Sequence, residues 1–304
     1  MAAAASLLSK AQKGITTTSS LYCIYGQEGC GKSTFAAGWP NGLFIDLESG
    51  SRHLDVTRIT ADDVVDYAGL IKFIQDEVLA SKFPFSTLIL DSLSALEQLM
   101  VKHICGTKYK SLSDIPFGGG GVQLADEGAN FMALMRKVQK EKNVDIVIIA
   151  HAKQKDYTDP HENVTYQRIT LQCHDKLAEK VKAACDNVFF AKHAISTVLN
   201  DKTKKLQAYS DGSRVMYTEH RPGADAKNRS GLPYELPLSY SALKQAIENA
   251  KPKPAEELIA DIKAMVSRVD EATRQLATAK MKEVGNDATA LLRIKQKLSE
   301  MIQP

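Results

Sequence analysis

Gly26-Gln27-Glu28-Gly29-Cys30-Gly31-Lys32-Ser33-Thr34 gathers glycines, a lysine and two hydroxyl residues into one short stretch. Glycines accept backbone torsions that a Cβ forbids, so successive N–H groups can converge on a polyanion. A lysine after the last glycine can reach the outer phosphates of a nucleoside triphosphate, and the next hydroxyl can ligate Mg²⁺. An apolar run, Leu21-Tyr22-Cys23-Ile24-Tyr25, precedes the stretch, and the helix-compatible Thr34-Phe35-Ala36-Ala37 follows it. Strand, glycine turn and helix start are the context that separates a phosphate loop from a chance Gly/Lys/Ser cluster. The expected helix N-terminus adds partial positive charge. A dinucleotide fingerprint, Gly-x-Gly-x-x-Gly, cannot be laid over Gly26, Gly29 and Gly31. The expected ligands are ATP, bound by residues 26–34, and Mg²⁺ on Ser33.

Two carboxylates and a histidine stand where such a ligand needs partners. Asp91 ends an apolar run, the position of an acid that holds Mg²⁺ opposite the loop serine. Helix capping by Asp91 or Ser92 is the alternative. Glu48 also ends a strand-like run. Ligands of open α/β sheets sit beyond those edges, so Glu48 can orient an attacking water or be a solvated loop glutamate. Asp46 lies further from the edge, and Glu48 is the preferred residue. Spacings among His151, Cys173, His174 and Cys185 fit no standard zinc pattern.

The elements that position these residues follow from periodicity. Strands are predicted at 43–47, 85–90 and 145–150, the last delivering His151. Helices are predicted over 61–80, through Leu96, Leu99 and Met100, and over 122–141, with a loop at 106–121 that includes Phe117-Gly118-Gly119-Gly120-Gly121. Residues 153–167 read as an exposed loop, followed by a helix at 176–184 and a strand at 187–191. Short strands at 195–199 and 205–209 flank a turn at Asn200-Asp201, and another strand follows at 215–218. A basic loop at 221–233 and a helix at 239–250 complete the core. Alternating strands and helices imply an α/β fold with a mainly parallel sheet. Lys251-Pro252-Lys253-Pro254 reads as a stiff linker, and 255–282 and 287–301 as two helices broken at Gly285-Asn286. The expected organisation is an arm at 1–19, a core at 20–250, the linker at 251–254 and a helical segment at 255–304.

The chain has 304 residues, 44% hydrophobic and 25% charged, the profile of an ordinary globular protein. A formal net charge of +3 permits a nucleic-acid partner without requiring one. Five cysteines with no Cys-x-x-Cys pair point to reduced thiols and a cytoplasmic setting. No apolar run approaches the length of a membrane span, and the start lacks the basic region of a signal peptide.

The order of these motifs resembles RecA-family ATPases, in particular the phage-encoded Sak-type single-strand annealing proteins with a RecA-like core. The resemblance rests on the phosphate loop, then Phe44-Ile45-Asp46-Leu47-Glu48, Leu88-Ile89-Leu90-Asp91-Ser92, Phe117–Gly121 and Ala150-His151. It closes with Lys227-Asn228-Arg229-Ser230-Gly231-Leu232-Pro233, and it covers roughly residues 20 to 250. It implies that Glu48 activates water and that His151 senses the γ-phosphate, although RecA proper has Gln at that place. It implies that Lys227 and Arg229 reach a neighbouring subunit's γ-phosphate, which would make the active unit a ring or filament of identical subunits. It also implies that two loops line a path for single-stranded DNA: Lys108, Tyr109, Lys110 and Phe117 in one, and Lys153, Lys155, Tyr157, Tyr166 and Arg168 in the other. Basic groups there would pair with phosphates and rings would stack on unpaired bases. The C-terminal helices have three readings, packing on the core, self-association and docking of another replication protein such as a single-strand-binding protein, and the host cytoplasm is the expected setting. The rival readings are a hexameric helicase-type motor and a nucleotide-gated protein-binding module with little turnover.

Overall fold

The computed structural model describes residues 11, 19–80, 82–159, 162–199, 206–250 and 255–302. The expected N-terminal arm (save Ala11 and Ser19), the 251–254 linker and the Asn200-Asp201 turn lie outside them. The chain divides into two compact units, Met1–Ile247 and Glu248–Pro304.

The first unit is built on a ten-stranded sheet. Six strands run parallel: β1 (Leu21–Gly26), β2 (Gly42–Asp46), β3 (Thr57–Thr60), β4 (Thr87–Asp91), β5 (Asp145–Thr158) and β7 (Asn187–His193), in the order β3-β2-β4-β5-β1-β7. β6 (Thr165–Leu171) pairs antiparallel with the far half of β5. β8 (Ser196–Leu199) and β9 (Leu206–Tyr209) form a separate two-stranded sheet. β10 (Arg214–Tyr217) extends the main sheet antiparallel to β7, followed by β12 (Glu235–Pro237), while β11 (Lys227–Asn228) also pairs with β7.

The central strands are apolar throughout because both their faces are covered. Leu21, Cys23 and Tyr25 of β1 face one buried cluster, and Tyr22 and Ile24 face the other. The first cluster lies under α2 (Tyr67–Phe73), α3 (Leu93–Cys105), α4 (Gly119–Lys142) and α5 (Asp175–Ala184). The second lies under α1 (Lys32–Ala36) and α6 (Tyr240–Ala250), with Trp39 against Phe35 and Tyr240.

Three sequence expectations are corrected. Residues 153–158 and 165–167 of the expected loop are strand: β5 continues without a break to Thr158 and pairs antiparallel with β6. Its alternating polar residues read as loop because this part of β5 has left the central strands and pairs with β6, its polar side chains largely exposed. Gly119, Gly120 and Gly121 are not loop either but the first turn of α4, where a Cβ at Gly120 would collide with the Leu112 carbonyl. The predicted 61–80 helix begins only at Tyr67, where Asp66 caps it by accepting from the Gly69 N–H at 2.7 Å, and it passes into a π-helical turn at Ile74–Leu79.

The second unit holds three helices rather than two: α7 (Ala255–Val266), α8 (Glu271–Val284) and α9 (Ala288–Ile302). The predicted 255–282 helix breaks because Asp270 starts a new one, accepting from the Thr273 N–H and hydroxyl. Leu258, Ile262, Ala277, Leu291 and Leu298 form its own small core. Among the described residues no helix is long and apolar enough to cross a membrane.

Candidate nucleotide site

Parallel pairing aligns the ends of the central strands. Asp46, Asp91 and Ile149 share one level across β2, β4 and β5, while Gly26, His151 and Ala191 share the level of the loop's first residue. Glu48 lies two residues past Asp46, in the turn that follows β2, and its carboxylate meets His151 Nε2 at 3.0 Å. The sheet edge therefore brings Gly26–Thr34, Glu48, Asp91 and His151 together.

The loop's conformation depends on its glycines. Gly29 and Gly31 have φ of +74° and +92°, a region that side chains rarely enter. A Cβ at Gly26 would collide with the Ala191 carbonyl, so β1 can approach β7 there only as glycine. Gly31 is the N-cap of α1 without a side-chain bond, which leaves the first N–H groups of the helix for a ligand. With only five residues, α1 contributes these N–H groups far more than a macrodipole. Cys30 is buried among the residues of the α1 side, whereas Gln27, Glu28 and Gly29 are exposed at the mouth.

Lys32 folds across the loop, its Nζ donating to the Gly26 and Gln27 carbonyls at 2.9 Å each. The Ser33 hydroxyl donates to Asp91 Oδ2 at 2.7 Å. Burial pushes the Asp91 carboxyl above its usual range, and Glu48 and Asp46 add repulsion. Glu48 accepts from the Ser92 hydroxyl and meets His151 Nε2 at 3.0 Å. That contact holds the Glu48 carboxyl below its ordinary value and raises His151 above its own. Nδ1 of His151 is buried without a hydrogen-bond partner among the described residues. Asp46, by contrast, is enclosed, accepting from the Gly50 and Ser51 N–H groups and the Ser51 hydroxyl. It shapes the turn that presents Glu48.

These residues fit a triphosphate and a divalent cation. The N–H groups and the Lys32 ammonium form a cradle that a Cβ at Gly26 would disrupt, and Ser33 and Asp91 present paired hard oxygens suited to Mg²⁺.

The remaining candidates lie elsewhere. Lys227 and Asn228 pair with Val188 and Asn187, at the opposite end of β7 from Ala191 and the loop. Lys227 Nζ donates to the Lys182 and Ala183 carbonyls at the end of α5, and Arg229 lies 3.6 Å from Asp186. Neither joins the cluster around Lys32. Lys153 and Lys155 both pair with Asp175, at 3.1 and 2.5 Å, which lowers the Asp175 carboxyl to about 2. The Arg168 guanidinium stacks on Tyr157, 3.6 Å from the ring centre, with Tyr166 also close and Asp225 at 3.7 Å. Lys108 and Lys110 are exposed, with the Lys108 ammonium over the half-buried Tyr109 ring. Phe117 is fully exposed and has φ +59° just before α4. Sequence reasoning missed Ser92, whose hydroxyl holds Glu48, and Arg214, whose guanidinium lies against Gly31. Ser92 follows Asp91 directly and signalled only a helix cap; nothing in the sequence pointed to Arg214.

A family model described as an AAA domain matches residues 19–230. No curated protein matches the chain in sequence. Among solved structures, the chain is similar to the RadB recombinase at 13% identity, over 67% of this chain and 82% of that one, with a TM-score of 0.35. It is also similar to the flagellar accessory protein FlaH from Methanocaldococcus jannaschii at 12% identity, over 72% and 84%, with a TM-score of 0.36.

Proposed function

The chain belongs to this AAA-domain family, and from that premise we propose an ATP- and Mg²⁺-dependent ATPase of RecA-like type whose hydrolysis controls a grip on single-stranded DNA. One observation carries the reading: Lys32, Ser33, Glu48, Asp91 and His151 gather at one sheet edge around a glycine loop. In this proposal Lys32 and the loop N–H groups bind the phosphates, and Ser33 with Asp91 holds Mg²⁺. Bound there, Mg²⁺ would supply charge neutralisation at the phosphate oxygens. Glu48 orients the attacking water and accepts its proton, while the Ser92 hydroxyl and His151 fix its carboxylate. The His151 contact holds its carboxyl below its ordinary value, so it is ionised at neutral pH.

Two features support the DNA part. β5 runs without interruption from His151 into the exposed hairpin, which connects the phosphate edge directly to this ribbon. Phe117 offers an exposed ring ahead of the glycine-rich first turn of α4, a surface on which an unpaired base can stack. Lys108 and Lys110 are the accessible basic groups of this proposal. Lys153, Lys155 and Arg168 reach DNA only by exchanging their present carboxylate partners. Lys227 and Arg229 act on a neighbouring subunit's phosphates in an assembly of identical chains, because the level of their own loop lies about 10 Å from that of Lys227 along β7. Annealing of strands, of the Sak type, in a reducing cytoplasm is the activity this assembly would serve. The five cysteines are unpaired and buried, as that setting allows.

The test is ATP turnover with and without single-stranded oligonucleotides over a salt series. The proposal expects stimulation that fades as salt rises. Turnover indifferent to DNA at low salt would remove the DNA part, and directional strand separation would favour a helicase-type motor.

A further inference from the structure

Arg214 opens β10 and is held at both of its backbone edges. It pairs with His193 on β7, and its carbonyl accepts from the Leu238 N–H at 2.9 Å. Met216 is level with Ala191, which is level with Gly26, so Arg214 stands one strand repeat beyond the start of the phosphate loop. Two strand spacings separate β10 from β1, about 10 Å, and the arginine side chain bridges most of that gap. Its guanidinium lies against the α-carbon of Gly31: a Cβ at Gly31 would collide with Nη1 and come within 3.3 Å of Cζ and 3.5 Å of Cδ. Glycine is therefore required at 31 twice over, for its φ of +92° and for the room Arg214 takes.

Arg136, Arg168, Arg229 and Arg274 each face a carboxylate, whereas Arg214, like Arg58 and Arg221, has no ion-pair partner among the described residues. Lys32, the next residue along from Gly31, likewise meets only backbone carbonyls. The Lys32 ammonium sits on the Gly26 and Gln27 carbonyls and the Arg214 guanidinium against Gly31, so one loop carries two cations whose repulsion a bound anion would relieve. The sheet order also says which part of the anion Arg214 meets. Glu48, Asp91 and His151 approach the loop from β2, β4 and β5 on one flank, and Arg214 approaches from β10 on the other.

We propose that Arg214 binds the inner phosphates of the nucleotide, closing the loop from the side opposite the hydrolytic residues. The planar fork of arginine suits paired phosphate oxygens better than an ammonium does. This rests on the ATPase reading above. On it, Arg214 serves ADP and ATP alike, and it belongs to binding and product retention rather than to cleavage.

Calorimetric titration of the full chain, as wild type, Arg214→Gln and Arg214→Lys, with ADP and with a non-hydrolysable ATP analogue, each with Mg²⁺, tests it. The expected result is that Arg214→Gln weakens both ligands by about tenfold, equal to about 1.4 kcal/mol, with Arg214→Lys in between. Unchanged affinities in both variants would overturn the assignment. So would a loss confined to the ATP analogue, which would place Arg214 at the γ-phosphate. Failure of the wild type to bind either nucleotide would instead overturn the ATPase reading itself.

Discussion

The two halves of β5 are one strand with two different lives. From Asp145 to Ala150 it lies between β1 and β4, buried on both faces, and it ends by setting His151 beside Gly26. From Ala152 to Thr158 it has only β6 for a partner, and its side chains are largely exposed. The first half is held by packing from both clusters, the second by one ladder and by side-chain pairs such as Lys153 and Lys155 on Asp175. The strand thus joins the phosphate edge to a ribbon held by one partner strand and surface ion pairs. His151 sits at the joint.

That contrast can be broken from either end. The largest effect belongs to the buried end: Lys32→Ala should cut ATP turnover on the order of 10³-fold, because the loop loses the ammonium that folds across it. Steady-state ATPase assays check this, and near-normal turnover would remove Lys32 from the phosphates. At the exposed end the effects are smaller. Phe117→Ala should weaken single-stranded DNA binding by about tenfold, as expected for one lost stacking contact, and leave the salt dependence unaltered. Lys108→Ala with Lys110→Ala should instead flatten that dependence, since these residues carry charge. Fluorescence anisotropy over a salt series separates the two outcomes.

The smallest effect tests the joint. Glu48 raises the pKa of His151, so the stability from their pairing is full below the unfolded histidine value of 6.5 and is lost as pH rises through the raised folded value. His151 lowers the pKa of Glu48, so on the acid side the same stability fades as pH falls below the unfolded value of 4.5 toward the lowered folded one. The melting temperature of wild type should therefore exceed that of His151→Gln by about 2 °C between those values, and the gap should close above them. A gap that is constant with pH would mean the pair is not ionised.

The same contrast explains what could be read from the sequence. Buried strands such as 145–150 announce themselves as apolar runs, and the phosphate loop carries its chemistry in residue types and spacing, so the parallel sheet and its loaded edge were legible. Glu48 is preferred over Asp46 by its distance from the strand end, and in the structure Asp46 accepts from the Gly50 and Ser51 N–H groups. The hairpin was illegible because Lys153, Gln154, Lys155 and Asp156 have the composition of a loop, and only a partner strand makes them regular. Arg214 was invisible for another reason. Its link to Gly31 spans 183 positions and exists only through the order of β1, β7 and β10. The third C-terminal helix was missed where Asp270, an ordinary N-cap residue, was read as helix interior.

The account depends most on Glu48 as the residue that readies water, and one measurement tests this directly: bound ATP and its cleavage followed on the same preparation of Glu48→Gln. The substitution keeps the size of the side chain and a group able to bond Ser92 and His151, but removes the basic carboxylate. The account predicts ATP retained near wild-type affinity and cleaved about 10²-fold or more slowly. Cleavage at the wild-type rate would contradict it.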